Sequence, residues 1–128
     1  MARQAVTLMH RYFEQVWNRG DLRYIDQRLA RDWVGHAPGE DLDGPERLKE
    51  YVSSLRATHA GLRYTVMEAI AEADRVAVRW TAAANLQGDA RANPGSGMGS
   101  PITGMTFARL ADGKIVEAWA ESLTLAVL

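Results

Sequence analysis

Residues 102–125 read ITGMTFARLADGKIVEAWAESLTL, and the reading of this stretch decides the fold. Two β-rich runs meet at Ala111-Asp112-Gly113-Lys114. An Asp-Gly pair between such runs is a strong hairpin signal, because glycine takes the positive φ that a tight turn demands. Along the second arm, strict alternation puts Ile115, Glu117, Trp119, Glu121 and Leu123 on one face and Val116, Ala118, Ala120 and Ser122 on the other. Two carboxylates thereby share a face with a tryptophan, on a strand expected to be central to a sheet. That face is either a solvated edge or the wall of a pocket.

Working back from the hairpin, residues 87–101 hold four glycines and two prolines, the composition of a long loop. Before it, residues 62–72 and 75–86 alternate with period 2 and read as strands joined at Ala73-Asp74. The texture changes upstream of Gly61. Val6, Met9, Phe13, Val16 and Trp17 recur at offsets of three and four, which predicts an amphipathic helix over residues 2–18 ended by Gly20 in the left-handed region. Asp21 is placed to cap a short second helix that turns Leu22, Ile25 and Leu29 inward. Residues 32–36 (Asp-Trp-Val-Gly-His) form a brief extended segment, followed by a turn-rich stretch over 37–44. Pro45 suits the first position of a third helix, which buries Leu48, Tyr51, Val52 and Leu55 and ends near Gly61. Three helices and a four-stranded antiparallel meander, with a short strand before the third helix, give an α+β fold. The helices must cover one face of a curved, mostly antiparallel sheet, and a cone of that shape commonly holds a ligand.

Bulk properties narrow the function. A chain of 128 residues is expected to be one domain, and at that size it buries roughly two-thirds of its unfolded surface. It has no cysteine, so disulfides and thiolate chemistry are excluded, and His10, His36 and His59 lack metal-ligand spacing. No metal and no cofactor are expected. The net charge of −1 with interleaved signs argues against a nucleic-acid partner. No apolar run approaches the roughly 18 residues of a membrane span, and no signal-peptide apolar region opens the chain, so a cytoplasmic location is expected.

Several segments resemble the SnoaL-like polyketide cyclase group of the NTF2-like superfamily. They are Tyr12-Phe13-Glu14-Gln15-Val16-Trp17-Asn18-Arg19-Gly20-Asp21, Asp32-Trp33-Val34-Gly35-His36, the run from Arg75 to Thr81, Gly104-Met105-Thr106-Phe107, and the run from Asp112 to Trp119. The resemblance implies the helix-covered cone, a dimer formed through the sheet, and acid–base chemistry on a small apolar molecule. In such cyclases a catalytic Asp follows the last-strand Trp; that position here is Leu123, and Glu121 is the nearby carboxylate. Epoxide-hydrolase-like relatives carry R-x-D where this chain has Arg79-Trp80-Thr81. Ketosteroid isomerases are matched at Tyr12, their oxyanion-binding tyrosine, whereas their second donor falls near Met105 and their Asp near His36 or Ala37.

The candidate catalytic residues are therefore His36, Glu121, Tyr12 and Arg79. His36 is either a proton carrier at a cavity mouth or a structural histidine bonded within a loop. Tyr12, one residue off the helical stripe, either donates to a substrate oxygen or meets water. Arg79 either pairs with Glu117 or Glu121, or anchors an anionic or enolate group. Glu121 is a base if sunk beside Trp119 and a surface charge otherwise. Trp33, Met67, Met105, Phe107 and Trp119 are expected to line a pocket for an apolar or aromatic molecule. Acid–base ring closure or isomerisation leads, with an epoxide hydrolase or a non-catalytic binding domain as rivals.

Overall fold

In the computed structural model, which describes residues 2–84 and 102–123, the N-terminal stripe folds as a helix of two pitches. Helix α1 (Ala2–Arg11) runs on into a wider π-helical segment (Tyr12–Asn18) that buries Tyr12, Phe13, Val16 and Trp17. Gly20 ends it at φ 70°, as expected. Arg56 then closes the exposed end, donating to the carbonyls of Trp17 (2.7 Å) and Asn18 (2.8 Å). Asp21 is not the cap expected for α2 (Arg23–Arg28): Leu22 stands at the N-cap with no side-chain bond, and the Asp21 carboxylate accepts the Arg23 N–H at 3.2 Å in the turn before it. The third helix, α3 (Pro45–Thr58), buries Leu48 and Val52, each worth about 1.5–3 kcal/mol of transfer free energy.

The remaining elements are β1 (Leu29–Ala37), β2 (Glu40–Asp43), β3 (Arg63–Glu72), β4 (Arg75–Ala83), β5 (Ile102–Ala111) and β6 (Lys114–Leu123). They form one six-stranded sheet in the order β2-β1-β6-β5-β4-β3, with β1 parallel to β6 and every other pairing antiparallel. Three helices on a mixed, mostly antiparallel sheet is the expected class, with corrections in detail. Leu29 does not belong to a helix; it opens β1 and pairs with Ile115, so its burial comes from the sheet. The stretch 37–44 is not all turn either. Gly39, at φ 85°, turns the chain, and the buried Leu42 anchors β2 as a short strand against β1. The Asp112-Gly113 turn is as expected, both residues having positive φ. The anticipated loop over 87–101 and the strand end beyond Ala84 lie outside the described residues.

Besides an irregular register between Leu29 and Val34 in β1, shifts in β6 and β3 overturn the strict alternation. Arg109 pairs with Glu117, yet Leu110 pairs with Ile115, so Val116 is an extra residue in β6. Ile115 therefore turns inward, 1% exposed, in phase with Ala118 and Ala120 rather than with Glu117. A similar shift between Val66 and Glu68 leaves Met67 and Glu68 both exposed on β3. Past each bulge the faces are reassigned, and this decides what surrounds the cavity.

Candidate functional site

The helix-covered face of the sheet encloses a cavity of about 300 Å³. That lies at the lower end of the roughly 300–1,000 Å³ usual for small-molecule sites. Its floor is aromatic. Tyr64 packs against Trp80 (4.8 Å between ring centroids), Trp17 (5.2 Å) and Phe13 (5.5 Å). Asn18 fixes Tyr64 by acting as a strand partner, its Oδ1 accepting the Tyr64 N–H at 2.6 Å and its Nδ2 donating to the Tyr64 carbonyl at 2.9 Å. The opposite wall is small: Gly35, Ala118, Ala120 and Ser122.

Two glycines let tryptophans lie flat on the sheet. A Cβ at Gly35 would stand 2.3 Å from the Trp33 ring, and one at Gly104 would stand 2.4 Å from the Trp80 ring, so neither position admits a side chain without moving the indole. The two indoles differ in one respect. Trp80 Nε1 donates to the buried Thr106 hydroxyl at 2.9 Å. Trp33, only 2% exposed, lines the cavity with its Nε1–H unpaired among the described residues. A buried donor left unmade is costly, which marks this position as a place for an acceptor.

The phenols of the cavity are donors too. Burial pushes the Tyr12 hydroxyl up to about 12, with a weaker opposing hydrogen bond from Trp17. Burial also raises the Tyr64 hydroxyl, helped by the neighbouring Tyr12 and Tyr51 phenols. Both stay protonated across the working pH range. Tyr12 is thus buried in the cavity wall and not at a wet edge of the helix.

His36 sits differently from its expected role. It borders the cavity, but its ring lies on the open face of the sheet, stacked on Trp119 at 5.3 Å. Its Nδ1 meets Asp41 Oδ1 at 2.9 Å and its Nε2 meets Glu117 Oε2 at 2.8 Å. Glu117 in turn accepts from Arg109 at 3.1 Å, completing a charged line across β2, β1, β6 and β5. Hydrogen bonds to Glu117 first and Asp41 second raise the His36 pKa, and those from His36 and then Arg109 lower that of Glu117. A ring bonded to two carboxylates is held as imidazolium, and in that state it cannot accept a proton.

Glu121 reaches the cavity rim, yet it is exposed and pairs across the sheet with the exposed Met105. Arg79 is absent from the cavity lining; its partner is Glu68 on β3, at 3.0 Å, and not Glu117 or Glu121. Met67, Met105 and Phe107, expected as lining, are 50%, 51% and 43% exposed on the open face. Trp119 shares that face and is not among the lining residues. Simple alternation places them: the strands that send Tyr64, Trp80 and Thr106 to the cavity send Met67, Arg79, Met105 and Phe107 outward, and Trp119 alternates with the lining Ala118 and Ala120. Of the expected pocket residues, Tyr12 and Trp33 are brought together in the cavity, with His36 and Glu121 at its border. Trp80 lines the cavity opposite Gly104 on the adjacent strand, whereas sequence reading missed Tyr64 and His59 as lining residues. Leu123 pairs with Thr103 through its backbone.

Among the described residues no helix is long and apolar enough to cross a membrane. Nor do three or more His, Asp or Glu side chains come together there as a metal-ligand set.

A helix-backed curved sheet around an aromatic cavity defines a small pocket protein of the NTF2-like kind. The model of the SnoaL-like polyketide cyclase family matches residues 7–127, and the chain belongs to that family. Solved structures agree on the fold. A proposed SnoaL-like polyketide cyclase from Jannaschia sp. CCS1 is 20% identical with TM-score 0.79, covering 94% of this chain and 86% of its own. IdmH, a proposed polyketide cyclase from Streptomyces antibioticus, is 24% identical with TM-score 0.74, covering 91% of this chain and 90% of its own. A proposed ketosteroid isomerase from Kribbella flavida is 17% identical with TM-score 0.76, covering 98% of this chain and 82% of its own. No curated protein matches the chain.

Proposed function

We propose that the cavity takes a flat, apolar or aromatic carbonyl compound of the ketide kind and moves a proton beside its carbonyl without a cofactor, in ring closure or isomerisation. The observation that carries this reading is the unpaired Trp33 Nε1–H, buried in an aromatic cavity whose phenols stay protonated. Neutral donors in a site of low dielectric favour an oxygen that gains negative charge during reaction, as a carbonyl does on passing to an enolate. Among the described lining residues there is no Lys or Arg to meet a carboxylate ligand, Arg79 being held by Glu68 on the other face, and the His36 ring at the border already pairs with Asp41 and Glu117.

The test uses 2-tetralone, a bicyclic ketone, beside tetralin, the hydrocarbon of the same shape. The native chain is expected to bind the ketone more tightly, by on the order of tenfold for one buried hydrogen bond, and Trp33→Phe to lose that preference. Equal binding of ketone and hydrocarbon by the native chain would contradict the reading. Exchange of the ketone's C1 protons for deuterium in D2O reports the chemistry; binding without exchange favours the non-catalytic alternative.

We also propose that a second copy of the chain covers the open face. Ile70 is 73% exposed and Met105 51%, amid charges of both signs (His36, Arg109, Glu68 and Glu121). Such a patch is complementary to itself, as a two-fold contact requires. Sedimentation should show a dimer that Met105→Glu converts to monomer; a native monomer at micromolar concentration ends the idea.

A further inference from the structure

The geometry points to His59 as the residue that carries the proton within the cavity. This rests on the carbonyl reading above and adds the base that reading lacks. His59 lines the cavity at the end of α3, half-buried, where its backbone N–H donates to the Leu55 carbonyl at 2.9 Å. Its ring is fixed by the same carbonyl: Nδ1 lies 3.1 Å from the Leu55 oxygen and 2.9 Å from Thr58 Oγ1. A carbonyl oxygen only accepts, so Nδ1 bears the hydrogen. The single hydroxyl hydrogen of Thr58 has its own acceptor in the Ser54 carbonyl at 3.0 Å, which leaves an Oγ1 lone pair facing Nδ1–H.

With Nδ1 protonated in the neutral ring, Nε2 keeps its lone pair. It makes no hydrogen bond among the described residues, whereas His36 has carboxylates on both nitrogens. Deep in the cavity wall, Trp33, Tyr12 and Tyr64 can donate, while the carboxylate of Glu121 lies exposed at the rim. His59 thus supplies a neutral nitrogen acceptor beside these donors. With a ketone bound, Nε2 takes a proton from the carbon next to the carbonyl. The C–H pair becomes the C=C bond of the enolate, and the carbonyl π pair moves onto the oxygen, which Trp33 and the phenols stabilise. Return of a proton from Nε2 to carbon restores the ketone, so the cycle consumes no other reactant.

The experiment needs no natural substrate. Long-range 1H–15N spectra of the native chain should show the Nδ1–H tautomer at His59, and an Nε2–H tautomer would overturn the assignment without any variant. His59→Gln should melt as the native chain does and bind 2-tetralone within about twofold, while C1 deuterium exchange falls by about a hundredfold or more. Exchange at the native rate in His59→Gln overturns the role. Native binding without exchange overturns it too and leaves the pocket reading standing. Absence of binding overturns the pocket reading and this role with it.

Discussion

The two faces of one sheet carry different chemistry. The covered face holds tryptophans laid on glycines, protonated phenols and one unpaired indole donor, with no ion pair among them. The open face holds the charged line Asp41–His36–Glu117–Arg109, the Arg79–Glu68 pair and a set of exposed methionine, isoleucine and phenylalanine side chains. Both faces are built by the same strands, and one inserted residue at Val116 decides which row of β6 goes where. The lesson is that a pocket's polarity can be set by backbone register as much as by composition.

Single substitutions should separate the faces by magnitude. Trp80→Ala on the covered face is expected to cost about 3–5 kcal/mol in denaturant titration, against no more than about 1 kcal/mol for Phe107→Ala on the open face. Gly104→Ala adds one methyl against the Trp80 ring and should cost about 1–3 kcal/mol through overpacking and the strained bond to Thr106. Equal costs for Trp80→Ala and Phe107→Ala would mean that the two faces do not differ in burial.

The charged line gives the open face a pH signature. His36 is raised above its ordinary 6.5, so its stabilising contribution is complete below that value and is lost as pH rises through the higher, folded one. Glu117 is lowered from its ordinary 4.5, so its contribution is present above that value and is lost as pH falls through the lower one. The stability difference between native chain and His36→Gln should therefore be greatest between about 4.5 and 6.5, and decline at higher pH. A difference that grows toward alkaline pH would contradict the clamp. Least affected should be Glu121→Gln, exposed at the rim, with stability unchanged within about 0.5 kcal/mol.

Much of the fold was legible from local chemistry. The apolar stripe from Met9 to Trp17, Pro45 and the Asp112-Gly113 turn each act within a few residues, and each appears as expected. What escaped reading depends on partners distant in sequence. Bulges depend on which residue of the neighbouring strand is met, and strict alternation makes no allowance for them. Alternation also does not say which of a strand's two faces meets the helices, and so Trp119, Met67, Met105 and Phe107 were expected inside and lie outside. Leu29 is apolar in either a helix or a strand, so its pattern could not choose. The site was legible in Tyr12 and Trp33, which sit in recognisable segments. His59 was not, because its tautomer is set by the Leu55 carbonyl and the Thr58 hydroxyl, whose positions only the folded helix end defines.

The difference between the faces can be read directly from the indole signals of the four tryptophans in a 1H–15N spectrum during titration with 2-tetralone. The Trp33 indole resonance, identified by its loss in Trp33→Phe, should move downfield as its N–H gains an acceptor, while Trp119 on the open face stays in place. A shifting Trp119 with a stationary Trp33 would place the ligand on the open face and contradict the account.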